Sequence, residues 1–285
     1  PEGMLHCVRA SDGKMLWKVD TSSEFGVVQN FFGVGSTPVI EGDLLLAQVG
    51  GSPPGSADKP FEELKGNGSG MVAFDKKTGK VKWKSTDELA SYAGPKVVTM
   101  GKRRVCLLFG RNGLTALDPA DGKAEANFPW RAPMLESVNA SNPVVVGDRV
   151  MISECYALGS AVLDLKGGAF KEVWTDKGKG RKKSLATHWN TPVHVDGYVY
   201  GSSGRHREEA ELRCVELATG KVMWSEKDLT RASLLHVDGH FVCLGEDGTL
   251  RLLKVNPKKY EEVSRVTPKD GDTALLKEFG GKLEE

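Results

Sequence analysis

The stretch NTPVHVDGYVYGSSGRHREEAELRCVELATGKVMW, residues 190–224, contains the pattern that decides the fold. It holds four short runs, the clearest of which alternates apolar and charged side chains, as a strand with one buried face does. Asp196-Gly197 separates the first two runs, and this dipeptide favours a two-residue hairpin turn with positive φ angles. Thr219-Gly220-Lys221 turns the chain again before Trp224. The stretch therefore predicts one antiparallel sheet of four strands.

Copies of this pattern occur along most of the chain. An opening strand recurs after Pro38, Pro95 and Pro143, and five of the six tryptophans follow a glycine-containing turn. A four-stranded sheet of about 40 residues has no core of its own, so it must stack on its copies. A repeat of about 45 residues with four short strands is typical of a β-propeller blade. The tryptophans predicted to share one structural slot are Trp17, Trp83, Trp130, Trp174 and Trp224.

The repeat predicts an all-β fold, a β-propeller of four-stranded antiparallel blades in one domain, residues 1–266. Residues 267–285 lack the pattern and are interpreted as a C-terminal tail. A propeller closes by pairing strands from both termini in one blade, and no closing half is visible in the sequence. We therefore expect an incomplete set of blades from a longer protein with about seven or eight blades. The blades predicted here are a half blade at 1–18 and complete blades at 36–84, 93–130, 141–174, 190–224 and 232–265.

Composition excludes several classes of partner. Lys plus Arg (39) and Asp plus Glu (38) nearly cancel, so no global charge attracts nucleic acid or an anionic membrane. No apolar run reaches the roughly 18 residues that a membrane-spanning helix needs. The five cysteines are odd in number and form no C-x-x-C pair, so we expect buried thiols and no metal site. The expected molecule is a monomer without a transmembrane segment in this chain.

The element MVAFDKKTGKVKW, residues 71–83, resembles the repeat of the pyrroloquinoline-quinone-type (PQQ-like) β-propellers. The resemblance extends from Gly3 to about Val266. It is specific for this fold, because the paired motifs of WD40 and Kelch blades do not recur. It implies that each tryptophan packs between neighbouring blades, which agrees with a wide flat ring filling the gap between two twisted sheets. The chain is also similar to exported repeat proteins of planctomycete-type bacteria and to the propeller of the outer-membrane assembly machine.

The resemblance leaves the function open, because one fold hosts many functions. Some members are quinoprotein dehydrogenases, which hold PQQ and Ca²⁺ in the central channel, whereas others bind no cofactor and present loops to partner proteins. Quinoprotein alcohol dehydrogenases carry a disulfide between adjacent cysteines, and this chain has no adjacent pair. The leading hypothesis is a non-catalytic scaffold or binding module of the bacterial periplasm or exported cell envelope, without a cofactor. It would bind envelope proteins through rim loops 50–70, 177–190 and 201–211.

Two alternatives remain. A PQQ-dependent oxidoreductase of alcohols or sugars requires a polar channel, Ca²⁺ ligands and a carboxylate base. A ligand-sensing propeller of a signalling protein would have a long N-terminal cytosolic domain in the full gene. An exposed apolar patch on one rim would instead favour the scaffold. Whether the protein is an enzyme stays open, with the missing cysteine pair weighing against catalysis.

Candidate binding residues are the polar side chains just before the opening proline of a blade, since loops at the entrance to the innermost strands surround the mouth of a propeller channel. They are Asn139 and Asn142 in one blade, and His188, Trp189 and Asn190 in the next. Trp189 is the one tryptophan outside the packing slot. With its neighbours it offers a stacking face, an imidazole and an amide on one rim. The structural alternative is that the asparagines cap turns and that His188 and Trp189 pack between blades.

Two further candidates come from the segment ISECY. Glu154 and Tyr156 are expected on an inner strand, where the carboxylate would face the channel. The structural alternative is an alternating strand whose polar side faces channel water. No residue is predicted to be catalytic, and none is predicted to bind a metal.

The tryptophan slot generates a stability prediction. Replacing Trp83 or Trp224 with alanine should cost roughly 3–5 kcal/mol, the usual range for a buried aromatic, because the gap between two sheets cannot collapse around the hole. Urea unfolding measures this change. An unchanged midpoint for either variant would show that the ring is not buried between blades.

Overall fold

The computed structural model describes residues 3–28 and 32–267, in which nearly all regular structure is antiparallel strand. Five four-stranded sheets and one two-stranded sheet follow one another along the chain. In every sheet, each strand pairs with the strand that precedes or follows it in sequence. This architecture confirms the predicted all-β propeller of four-stranded blades.

The two-stranded sheet, the half blade, contains β1 (Met4–Val8) and β2 (Met15–Asp20), and a short helix α1 (Thr21–Phe25) follows it. We number the four-stranded sheets blades 1 to 5 in chain order. Single turns of 3₁₀ helix lie at Phe61–Glu63 and Arg207–Glu209. The strands are, in blade 1, β3 (Val39–Glu41), β4 (Leu44–Gln48), β5 (Met71–Asp75) and β6 (Val81–Ser85); in blade 2, β7 (Lys96–Met100), β8 (Arg103–Phe109), β9 (Gly113–Leu117) and β10 (Ala124–Pro129); in blade 3, β11 (Val144–Val146), β12 (Arg149–Glu154), β13 (Gly159–Lys166) and β14 (Ala169–Thr175); in blade 4, β15 (Val193–Val195), β16 (Tyr198–Ser203), β17 (Glu211–Glu216) and β18 (Val222–Glu226); and in blade 5, β19 (Ala232–Val237), β20 (His240–Gly245), β21 (Leu250–Lys254) and β22 (Glu262–Val266).

The hairpin that opens blade 4 has the predicted geometry. Asp196 and Gly197 have φ angles of 47° and 86°, and Val195 pairs directly with Tyr198. Positive φ at both central residues matches the right-handed twist of the flanking strands. The prediction for this turn is therefore confirmed. The predicted tail at 267–285 lies, apart from Thr267, outside the described residues, and the total number of blades stays a prediction.

Tryptophan rings lie against a glycine of the next blade. A Cβ atom added to Gly122 would stand 2.4 Å from the ring of Trp83, and one added to Gly220 would stand 2.9 Å from the ring of Trp174. The Trp174 indole also donates a hydrogen bond of 2.8 Å to the carbonyl of Leu217. Each such ring therefore joins two sheets by close packing against a turn that has no side chain. The same contact is made by Trp17 on Gly79.

Trp130 does not occupy this slot, so that part of the prediction is wrong. The position in blade 2 that corresponds to Trp83 is Ala126, which pairs with Ala116 as Trp83 pairs with Ala73. In blade 1 the tryptophan comes four residues after the turn glycine, whereas Trp130 comes eight residues after Gly122. Trp130 instead follows the end of β10 and is 1% exposed in the core between blades 2 and 3. Trp130 was predicted to occupy the slot because it is the first tryptophan after the turn, although its distance from the turn glycine differs from that of Trp83.

The topology divides the propeller into two faces. In an antiparallel blade, the loop between the second and third strands and the connection to the next blade lie at the same edge of the sheet. We call this side the loop face, and the side of the remaining short turns the turn face. All three predicted rim loops, 50–70, 177–190 and 201–211, belong to the loop face. Among the described residues, the loop face comprises 21–28, 32–38, 49–70, 86–95, 110–112, 130–143, 155–158, 176–192, 204–210, 227–231 and 246–249.

A pair of glycine substitutions tests the packing between blades. Gly122→Ala should destabilise the protein by roughly 2–4 kcal/mol, because φ is positive and the new Cβ meets the Trp83 ring. Gly101→Ala is the matched control: its φ of 60° is also positive, but no atom lies within 4 Å of the added Cβ. The control should cost only about 1–2 kcal/mol. Equal losses in urea unfolding would contradict the proposed contact.

The slot rings are half-buried, which refines the expectation for Trp83→Ala and Trp224→Ala. Part of each ring is in contact with water in the folded state, so less apolar area is lost on truncation. The cost should therefore lie near the lower end of the predicted range, about 3 kcal/mol.

Candidate functional site

Several candidate residues meet on the loop face between blades 3, 4 and 5. His188 and Trp189 lie in the connection from blade 3 to blade 4, and Tyr156 lies in the short loop between β12 and β13. Arg231 precedes β19, and Glu246 follows β20. With Arg205, which follows β16, these residues form what we call the rim cluster: Tyr156, His188, Trp189, Arg205, Arg231 and Glu246.

Trp189 is the exposed member of the rim cluster, with 53% of its surface accessible. Its indole stacks on the imidazole of His188, with ring centroids 3.9 Å apart and an angle of 24° between the planes. The guanidinium carbon of Arg231 lies 4.1 Å from the centre of the same indole. Both contacts restrict the ring before any partner arrives. Trp189 therefore presents a rigid aromatic surface to solvent.

Arg231 is held by three groups. Its Nε donates to Glu246 Oε2 (2.6 Å) and its Nη2 donates to Glu246 Oε1 (2.5 Å), which is a bidentate ion pair. Its Nη1 donates to the carbonyl oxygen of Arg205 at 3.0 Å and lies 3.0 Å from His188 Nδ1. A guanidinium that is fixed by a parallel pair of hydrogen bonds has a defined plane. The position of the Trp189 ring is thus tied to blade 5.

His188 is neutral, and its proton is on Nε2. Burial and the nearby charges of Arg231 and Arg205 lower its pKa from 6.5 to about 4. Since a guanidinium can only donate, His188 Nδ1 accepts from Arg231 and Nε2 carries the hydrogen. Nε2 then donates to the hydroxyl of Tyr156 at 3.3 Å.

Tyr156 closes the cluster on the side of blade 3. Its hydroxyl accepts from His188, so its own proton remains free for another acceptor. Burial raises the pKa of Tyr156 to about 12. The guanidinium of Arg205 lies 4.8 Å from the centre of the tyrosine ring. The phenol therefore stays protonated at physiological pH and acts as a hydrogen-bond donor or acceptor only.

Glu154 does not face the channel, which corrects the expectation for this residue. It ends β12, the second strand of blade 3 and not the innermost one, and it is 1% exposed. Its carboxylate accepts hydrogen bonds from the backbone N–H groups of residues 156–159, at 2.6 Å from Tyr156 and 3.1 Å from Ala157 and Gly159. The side chain thus stabilises the loop between β12 and β13. A carboxylate used in this way is not available as a base.

The three asparagines have structural contacts. Asn139 is 1% exposed, and its Nδ2 donates to the carbonyls of Gly110 (2.8 Å) and Trp130 (3.0 Å). Asn142 Oδ1 accepts from the N–H of Gly94 at 2.7 Å, and so connects two blades. Asn190 Nδ2 donates to the carbonyl of Ser202 at 3.1 Å. Asn190 also borders the cleft beside Trp189, so it alone of the three adjoins the rim cluster.

Sequence reasoning missed Arg205, Arg231 and Glu246. Arg231 could have been found, because it precedes the first strand of blade 5 as Asn190 precedes that of blade 4. The missing signal was the opening proline, which blade 5 lacks.

The described residues, 3–28 and 32–267, show no metal site and no helix that could span a membrane. Within these ranges, no group of three or more His, Cys, Asp or Glu side chains is arranged to hold a metal ion. None of the helices there is long and apolar enough to cross a membrane. The cysteines of the described chain are free thiols, and Cys106, Cys214 and Cys243 are buried.

The repeat, the sheets and the loop face together define a PQQ-like β-propeller protein. The family model described as outer membrane protein assembly factor BamB matches residues 1–226 and 130–274. The chain therefore belongs to the BamB family of PQQ-like repeat propellers. No curated protein matches the chain in sequence.

Solved structures show the same fold. BamB from Moraxella catarrhalis is similar with a TM-score of 0.65 and 16% identity, over 94% of this chain and 71% of that one. The computationally designed protein Ika8 is similar with a TM-score of 0.54 and 10% identity, over 93% and 81%. A quinohemoprotein alcohol dehydrogenase from Pseudomonas putida has a TM-score of 0.54 and 17% identity, over 85% of this chain and only 42% of its own. At these identities the likeness shows the fold alone.

The electrostatics of the rim cluster generate a prediction for His188. Its imidazole should titrate near pH 4, well below its ordinary value of 6.5. Because the unfolded chain then binds more protons between these values, the free energy of unfolding should fall as pH drops from about 6.5 to 4. Arg231→Met removes a repelling charge and should raise the pKa of His188. Side-chain NMR of the histidines measures the pKa of His188 in the unsubstituted protein and in the Arg231→Met variant. A midpoint near 6.5 in the unsubstituted protein would contradict the description of the cluster.

Proposed function

We propose that this protein is a non-catalytic binding module of the bacterial cell envelope, which binds a periplasmic partner protein in outer-membrane protein assembly. Membership of the BamB family supports a role in protein interaction. The observation that carries the proposal for this chain is Trp189, an aromatic side chain that is 53% exposed yet held by His188 and Arg231. The expected protein acts as a monomer in the periplasm and uses no cofactor.

The surface around Trp189 has the composition of a protein-binding site. An open cleft of about 170 Å³ lies beside the indole and is lined by Arg231 and by residues of β19 and β20. Leu244, which is 51% exposed, lines the same cleft. Tryptophan and arginine are the residue types that contribute most to binding energy at protein interfaces. A rigid aromatic anchor also loses little conformational entropy on binding.

The partner expected at this cleft has an apolar side chain beside a hydrogen-bonding group. The apolar side chain would cover Trp189 and Leu244. Asn190, which lines the same cleft, offers its side-chain amide to that hydrogen-bonding group. A periplasmic domain of an outer-membrane β-barrel assembly protein is the partner to test, in keeping with the name of the family.

A catalytic role has less support from the side chains. The one predicted channel carboxylate, Glu154, accepts four backbone hydrogen bonds and is buried. His188 has a low pKa and is already hydrogen-bonded through both ring nitrogens. Neither residue is placed to accept a proton from a substrate. The rim cluster is instead suited to a stable contact surface.

The test is a binding measurement with the periplasmic domain of the β-barrel assembly protein from the same organism. Trp189→Ala should weaken binding by about tenfold or more, because a central aromatic anchor is lost. Lys102→Ala, an exposed position on the turn face, is the matched control and should bind normally. Calorimetric titration gives the affinities, and thermal unfolding checks that both variants fold. Equal affinity of the Trp189→Ala variant, or no binding by the unsubstituted protein, would reject the proposal.

A further inference from the structure

A second cleft on the loop face lies between blades 1, 2 and 3, away from the rim cluster. It has a volume of about 480 Å³ and is bordered by Arg111, from the loop between β8 and β9, and by Arg131, which follows β10. Leu64, in the long loop of blade 1, forms another wall, together with Leu135. The cleft thus combines two guanidinium groups with apolar surface.

Arg111 is a buried cation without a carboxylate partner. It is 3% exposed, and its guanidinium carbon lies 3.5 Å from the centre of the Phe61 ring. One donor, Nη1, binds the carbonyl oxygen of Phe61 at 3.2 Å, whereas the buried Nε has no hydrogen-bond partner. A buried charged group normally has its hydrogen bonds satisfied and its charge paired. Arg111 therefore borders the cleft with a charge and a hydrogen-bond donor that no group of the described chain satisfies.

Arg131 adds a second positive charge to the same cleft. Neither Arg111 nor Arg131 takes part in an ion pair within 4.0 Å among the described residues. Burial lowers the pKa of both side chains, to about 10 for Arg111, which leaves that guanidinium charged at neutral pH. Both groups would thus gain from a negatively charged ligand.

The carboxylates of the protein near the cleft do not fill this role. Glu88 is 8% exposed, and its oxygens accept from the backbone N–H and from Nδ2 of Asn112. Glu62 is exposed and lines the cleft. Its negative charge opposes a divalent anion more strongly than a monovalent one, because the repulsion scales with the charge of the ligand.

We propose that the cleft between Arg111 and Arg131 binds a carboxylate group of a partner peptide, with a neighbouring apolar side chain of that peptide packed on Leu64 and Leu135. The planar fork of a guanidinium matches the two oxygens of a carboxylate. The inference rests on the proposed protein-binding function, since it identifies the chemistry of a second contact on the loop face. It adds an acidic anchor to the aromatic anchor at Trp189.

The test uses the full chain and two peptides, N-acetyl-Leu-Leu-Glu-Leu-amide and its Gln counterpart. Arginine side-chain NMR should show saturable shifts of the Arg111 and Arg131 Nε–Hε signals with the Glu peptide and none with the Gln peptide. Arg131→Met should weaken binding of the Glu peptide at least about tenfold, the usual effect of losing a buried charge-assisted contact. Glu62→Gln should tighten binding, which a purely structural role of the cleft would not explain. Arg103→Met, on the turn face of blade 2, is the matched control and should leave binding unchanged.

Three outcomes would overturn this inference. They are no saturable shift with millimolar Glu peptide, equal binding of the Gln peptide, and equally strong binding of inorganic phosphate, which would make the cleft a general anion site. The peptide experiment and the binding test at Trp189 can fail independently. If the assembly protein binds through Trp189 but the peptide does not bind, only the carboxylate site fails. If the peptide binds but the assembly protein does not, only the proposed partner fails.

Discussion

The contact between a tryptophan ring and a glycine of the next blade is the interaction on which this structure depends. Each four-stranded sheet is too small to bury its own apolar faces, so its stability comes from its neighbours. Trp83 on Gly122 and Trp174 on Gly220 fill the space near the turn face, where twisted sheets diverge. The glycines are required there because a Cβ atom would overlap the ring. Among the described sheets, this contact is made at three junctions, by Trp17 on Gly79, Trp83 on Gly122 and Trp174 on Gly220.

Stacking of this kind determines where the functional groups lie. Strand order places the long connections of every blade on the loop face, and the short turns that receive the tryptophans on the turn face. Stability and recognition are therefore separated on opposite sides of the same sheets. The loop face carries both candidate sites, the rim cluster near Trp189 and the cleft between Arg111 and Arg131. Each site draws side chains from at least two blades, so neither can form within a single repeat.

The two sites differ in their electrostatics. In the rim cluster, Arg231 is paired with Glu246, and His188 is kept neutral, so the surface offered to a partner is mainly aromatic. In the second cleft, Arg111 is buried without a paired carboxylate. A partner that uses both would combine an apolar contact with a charged one. Such a combination gives affinity through the aromatic anchor and orientation through the charge.

The sequence by itself determined the class of fold, because the period, the turn dipeptides and the tryptophan spacing are local properties of each repeat. It also identified Trp189 as an aromatic residue outside the packing slot. Only the tertiary structure decided that Trp130 is a core residue and that Glu154 binds backbone N–H groups. It likewise decided that Arg231 lies beside His188, 43 residues earlier in the chain. The physical reason is that the contacts of Trp130 and Arg231 form between blades and depend on how the sheets stack, whereas the contacts of Glu154 depend on the backbone conformation of the loop that follows it.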